Sequence, residues 1–357
     1  MLKKFLAVFF AALMIFTIGC GKKDAPAESV SSVESVPESA PPVEDEKPEA
    51  NNYTVTNPLT GVVEFESVDQ AYRRPVAIMI NNYCELGNYS VQKVQTGLAK
   101  ADIIYETEAE GGITRLLAVY QDISKAEKIG TIRSARYQHV DLAMGHNAIY
   151  IHSGVNAYCK PHLKDVDDLD IADGTYGGEK LSNGQTSTEH TLYAWSDKLW
   201  ESIENNFNTT SKSAATWVNF TQDEIKLDGG TATSVAVPFP TQTTRFTYDE
   251  QSGLYTRVLG SSVQSDYFTK ESTQVKNVFV LMTSMSRYDD NYTRKVDLKS
   301  GTGYYITNGT MKEIKWTKGA ASNGFKFTDV NGKELEVSAG NSWVCIANKS
   351  TCTPTFE

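Results

Sequence analysis

The stretch from Ala101 to Asn156 constrains this chain most, because it sets ionisable side chains among runs otherwise suited to a hydrophobic core. It reads ADIIYETEAEGGITRLLAVYQD and then KIGTIRSARYQHVDLAMGHNAIYIHSGVN. Three runs with strand character, Ile103 to Ala109, Ile113 to Tyr120 and Ala148 to Ile151, surround one helical run, Ser134 to Met144. Gly111-Gly112 suits a tight hairpin turn between the first two. Ser134 is placed as the helix N-cap and Gly145 at its C′ position. Upstream, VAIMIN (Val76 to Asn81) is nearly continuous in apolar character and predicts a strand buried on both faces.

The flanking segments fill out an N-terminal α/β domain with a mixed sheet. Val91 to Lys100 has modest helical character, and Tyr158 to Lys164 predicts a short helix interrupted by Pro161. Asp165 to Gln185 is acidic and Gly-rich and is read as a surface loop. Ser196 starts an amphipathic helix with Leu199, Ile203 and Phe207 on one face. At Asp228-Gly229-Gly230 the composition changes. From Ser234 on the runs are short, alternating and aromatic or β-branched, with turn signals at Asn308-Gly309 and Asn331-Gly332. The expected fold class is therefore α+β: an α/β domain over 51–230, then a smaller, mostly-β domain over 231–357.

The chain begins with Lys3 and Lys4, an apolar core from Phe5 to Ile18, and Gly19-Cys20. That order of charge, apolar core and cysteine predicts a secretory signal over 1–20, too short for an ordinary membrane span. Thr17-Ile18-Gly19-Cys20 resembles a bacterial lipobox, which implies lipidation of Cys20, and two acyl chains are what stable anchoring requires. Residues 21–50 carry eight acids against three lysines and no aromatic residue, so they are read as a disordered acidic tether. The acidic balance argues against a nucleic-acid footprint. Cys84, Cys159, Cys345 and Cys352 remain after Cys20, with Cys84 and Cys159 assigned to the first domain, Cys345 and Cys352 to a small terminal loop, and free thiols the alternative to pairing.

The strings EGGITR, GTIRSAR, YIHSG and HTLY, followed by GTGYY, IKW and GNSWV in the β-rich part, resemble the YerB-like lipoprotein family from about Asn57 to about Ile346, nearly the whole part expected to fold. The resemblance implies a Gram-positive envelope lipoprotein with an N-terminal α/β part and a distinct C-terminal part. The family is one of unknown function, so it carries over no catalytic roles.

Glu106, Glu108 and Glu110 alternate along a predicted strand, which would set three carboxylates on one face, as a solvated surface, an ion-pair network or an acid and base pair. Arg133 and Arg136 flank the predicted helix start, where two cations call for an anion nearby: the glutamate face, or a bound phosphate or carboxylate. His139, His146, His152, His162 and His190 show no zinc spacing, so neither metal nor cofactor is expected. Tyr288, Tyr292, Tyr304, Tyr305, Trp316 and Trp343 are candidates for a stacking platform or for core.

The reading is a membrane-anchored, extracytoplasmic lipoprotein with a binding or scaffolding role. Its candidate residues are Glu106, Glu108, Glu110, Arg115, Arg133, Arg136, His152 and His190. The expected partners are the bilayer through Cys20 and a cell-wall fragment or envelope protein. The alternative is an envelope glycan hydrolase with Glu108 or Glu110 as acid and another carboxylate or His152 as base.

Overall fold

The computed structural model describes residues 53–212 and 216–357. The signal segment 1–20, the tether 21–50 and Cys20 lie outside the described residues. Strands dominate the described part, with three α-helices (Val68–Ala71, Tyr137–Gly145 and Ser196–Asn206) among them. The N-terminal part is thus richer in strand than the expected α/β label, while the mixed sheet and the β-rich C-terminal part are present.

Ile103–Glu110 and Ile113–Tyr120 form the expected antiparallel pair, joined at Gly111 and Gly112 with φ of 56° and 87°. Positive φ at both turn positions matches the twist of the flanking strands and is what two glycines permit. These strands lie in a ten-stranded sheet. Its order runs Lys326–Asp329, Thr310–Thr317, Ser300–Thr307, Asn277–Thr283, Ser342–Asn348, Ile103–Glu110, Ile113–Tyr120, Val76–Asn81, Ile149–His152, Asp168–Asp170. Half of the sheet therefore comes from each side of the break near Gly230. Ser342–Asn348 joins the halves, parallel to Asn277–Thr283 on one side and to Ile103–Glu110 on the other. The two segments expected as domains, 51–230 and 231–357, thus share one sheet within one compact unit over Asn51–Glu357.

Alternation along the central strands feeds two cores. Ile104, Val280 and Trp343 pack under a second sheet built around Ser234–Pro238, Thr243–Asp249 and Leu254–Leu259, together with Leu199 and Ile203 of the helix Ser196–Asn206. Ile103, Tyr105 and Phe279 pack on the other face against Val140 and Ala143 of the helix Tyr137–Gly145 and against Trp217 and Phe327. Burying each such side chain contributes about 1.5–3 kcal/mol, so each helix is held by its apolar face more than by its intrinsic propensity.

Several local expectations are corrected. The helix over Tyr137–Gly145 has Arg136, not Ser134, at its N-cap, and the left-handed residue after it is Asn147 (φ 52°), not Gly145. The Ser134 and Ala135 carbonyls instead accept from arginine side chains, which holds those residues out of the helix. Val91 to Lys100 forms two 3-10 turns, Gln92–Val94 and Leu98–Lys100. The loop read over Asp165 to Gln185 contains the strands Asp168–Asp170 and Gly178–Lys180. All four described cysteines are free and buried.

Candidate functional site

The four N-terminal strings of the family resemblance, EGGITR, GTIRSAR, YIHSG and HTLY, meet at one end of the large sheet. GTIRSAR leaves the strand Lys128–Gly130, and its Arg133 N–H donates to the Met79 carbonyl at 3.1 Å. It then runs beside the HSG of YIHSG: the Ser153 N–H donates to the Arg133 carbonyl at 3.0 Å and the Ala135 N–H to the Gly154 carbonyl at 2.9 Å. HTLY closes from the other side, with the Ile132 N–H donating to the Leu192 carbonyl at 2.8 Å. Gly130 is required for this crossing, since a Cβ there would stand 2.7 Å from Tyr193 Cδ1 and 2.9 Å from the Leu192 carbonyl oxygen.

The result is a cleft of about 370 Å³, within the range of roughly 300–1,000 Å³ for small-molecule sites. Arg115, Arg133, Arg136, Glu110 and His190 line it, five of the eight residues expected from the sequence. The Glu110 carboxylate bridges Arg115 (3.3 Å) and Arg136. Burial holds the Arg115 guanidinium down at about 9, with Arg136 next to it as the second cause and Glu110 opposing. Arg133 is the least enclosed of the three and contacts Glu189 through its carboxylate at 3.5 Å and its carbonyl at 3.2 Å. His190 Nδ1 lies 2.8 Å from Asn81 Nδ2, which can only donate, so the imidazole proton sits on Nε2. Burial, then Arg133, lowers the His190 pKa and favours the neutral ring. Tyr83 stacks on that ring at 5.6 Å with 11° between planes.

The remaining expected residues lie elsewhere. The three glutamates do not share a face, because the ladder slips between Glu108 and Glu110. This bulge turns Glu110 toward Arg115 and leaves Glu106 and Glu108 on the opposite side. Glu108 pairs with Arg294 at 2.7 Å, and burial is the first cause of its raised pKa. Glu106 is fully buried between the two sheets and accepts from Asn82, Thr114, Gln242, Thr244 and Trp343. His152 is buried with Nε2 2.9 Å from Asp168 and Nδ1 3.0 Å from the Gly154 carbonyl, which makes it a positioning group for the HSG turn. Among the described residues no cluster of His, Cys, Asp and Glu is arranged to hold a metal ion. Of the candidate stacking aromatics, Tyr305, Trp316 and Trp343 are core. Tyr292 alone reaches the cleft.

Sequence reasoning missed Asn81, Tyr83 and Glu189, and it placed Tyr292 in a different surface. Asn81 had a signal, a polar residue ending an apolar strand. Tyr292 had none, because its position depends on a hairpin of the C-terminal half, Met285–Arg287 with Arg294–Val296, folding back onto the Gly111 turn. The Gly111 N–H donates to the Tyr292 carbonyl at 3.3 Å, and a Cβ on Gly111 would stand 2.7 Å from the Tyr292 ring.

A largely β unit with one arginine-lined cleft built from both halves of the sequence is the class that fold and site define. Two family models match it: the N-terminal domain of a protein of unknown function (DUF3048) over residues 59–210, and the C-terminal domain of the same family over 235–344. The chain belongs to this YerB-like family. It is 29% identical over 300 residues to the Bacillus subtilis (strain 168) protein named "Putative lipoprotein YerB", covering 81% of this chain and 85% of that one. The crystal structure of YerB protein from Bacillus subtilis matches the fold with a TM-score of 0.71 at 24% identity, over 85% of this chain and 100% of that chain.

Proposed function

We propose that this protein is a lipid-anchored, extracytoplasmic binding protein whose cleft receives an anionic group of a cell-envelope component, a wall fragment or a partner protein. The observation that carries the reading is the convergence of Arg115, Arg133 and Arg136 on one cleft that holds two carboxylates, Glu110 and Glu189. Glu110 already neutralises much of the buried pair, so Arg133 is the guanidinium with donors to offer an incoming oxyanion. The hydrolase reading is less well supported. Glu108 and Glu110 are held by different arginines on opposite faces, and His152 is engaged outside the cleft.

Arg133→Ala is expected to weaken binding of envelope extract components, or of simple oxyanions such as phosphate and acetate, at least tenfold, with the unfolding midpoint little changed because Arg133 packs at the cleft mouth. Calorimetric titration of both proteins checks this, and equal affinities would remove the reading. For the anchor, Cys20→Ala is expected to release the protein from membranes into the medium. Fractionation of cells expressing each form reads it out, and full retention of the variant would count against lipidation.

A further inference from the structure

We infer that the ligand of the arginine cleft is a sugar ring carrying an oxyanion, either a carboxylate or a phosphate. This rests on the anion-binding reading above and adds the ring. A simple anion would need only the arginines, yet the cleft also presents carboxylate acceptors and aromatic faces. Glu110 and Glu189 lie beside Arg133 and Arg136, and a bare anion is repelled by both carboxylates. A ligand that satisfies the whole lining must bring negative charge to the guanidinium groups and several O–H donors to the glutamates. An acidic sugar has both, whereas a flat apolar ligand would leave these charged groups unpaired at a cost.

The aromatic rings supply the complementary surface for the ring's C–H face. Tyr83 is half-buried, held against His190 by stacking and bonded through its hydroxyl to Glu85 at 3.0 Å. Tyr292 comes from the other half of the sequence and stays 53% exposed at the cleft. Its exposure is not that of a loose loop tip. The neighbouring Thr293 bridges Glu110 in the ladder, Arg294 is tied to buried Glu108, and Asp290 accepts from the N–H groups of both Tyr292 and Thr293 at 2.9 Å. A large ring pinned by its backbone yet left in water is a preformed contact surface, with its ordering cost met before a ligand arrives.

The test is a titration of the purified chain with glucuronate and a glucose phosphate, beside glucose, acetate and inorganic phosphate. The sugar acids are expected to bind at least tenfold tighter than the simple anions and than glucose. That ratio should fall toward one in Tyr292→Ala and be restored in Tyr292→Phe, which keeps the ring face. Simple anions binding as tightly as the sugar acids would overturn the sugar assignment while leaving the arginine cleft as an anion site. A preserved ratio in both Tyr292→Ala and Tyr83→Ala would likewise overturn it. No binding of any anion, with wild type and Arg133→Ala alike, would remove both the anion reading and this one.

Discussion

Replacing Glu106 by leucine is expected to cost about 3–5 kcal/mol, the range for breaking one side of a buried charged network. The carboxylate accepts from Asn82 at 2.9 Å and Thr114 at 3.0 Å in the N-terminal half, and from Gln242 at 2.8 Å, Thr244 at 2.9 Å and Trp343 at 3.1 Å in the C-terminal half. Leucine would strand the Thr114, Thr244 and Trp343 donors, each a desolvation penalty of about 1–3 kcal/mol before relaxation, while Asn82 and Gln242 keep the Thr114 hydroxyl as a second acceptor. It would also leave buried Arg257 without its balancing charge. That guanidinium sits 4.4 Å over the Trp343 ring, donates to Gln264 at 2.7 Å and reaches Glu106 only through Asn82. Urea unfolding followed by fluorescence measures the loss. If the two halves fold as one, the midpoint shifts for every probe together. A loss under about 1 kcal/mol would mean that the network is not a stabilising join between the sheets.

The second large effect is a loss of stability in acid, driven by two buried imidazoles. Burial, with Arg115 next, pushes His139 down to about 3, and burial, with Lys318 next, pushes His146 down to about 4. Both folded values lie below the ordinary histidine value, so the unfolded chain binds the extra protons first. Their stabilisation is full above about pH 6.5 and is lost as pH falls toward the folded values. At pH 4 each costs about 3 kcal/mol by that linkage. Asp102 runs the other way: burial raises it to about 6 against the opposing pull of Lys125, so protonating it between pH 6 and 4 returns about 2 kcal/mol. The net expectation is a fall of several kcal/mol from pH 7 to 4. Neither ring nitrogen of His139 has a hydrogen-bond partner of good geometry. His139→Leu should therefore change stability at pH 7 by less than about 1 kcal/mol and remove roughly half of the acid limb. Denaturation midpoints at several pH values decide this, and an unchanged acid limb would rule His139 out.

Strands were easier to read from the sequence than their partners. VAIMIN, IIYETEA and ITRLLAVYQ declare themselves by apolar content and by the two glycines between the latter pair, and each is a strand. Nothing within them announces that Ser342–Asn348 will lie beside Ile103–Glu110, because parallel pairing is fixed by packing between segments far apart in sequence. The composition shift near Gly230 falls in the gap between the two family models, but it marks a change in local pattern and not the edge of a core. The cleft was half legible for a similar reason. Arg115, Arg133, Arg136, Glu110 and His190 stood out as charge beside apolar runs. Glu106 and Glu108 were grouped with Glu110 because a strict period of two keeps all three on one face, whereas the bulge after Glu108 turns Glu110 alone to the cleft side.

The strand Ser342–Asn348 has a further consequence for how the molecule comes into being. It fills the centre of the sheet but is the last of the ten strands in chain order, so neither neighbour, Asn277–Thr283 or Ile103–Glu110, can complete its ladder until the other nine strands have been synthesised. The loop closed by its pairing with Ile103–Glu110 spans most of the folded sequence, and such non-local closure slows folding. Until then both neighbours present open backbone edges, which are templates for pairing with other chains. A product shortened before Ser342 would lack the keystone of its sheet and should be recovered as aggregate or fragments rather than as a smaller folded protein.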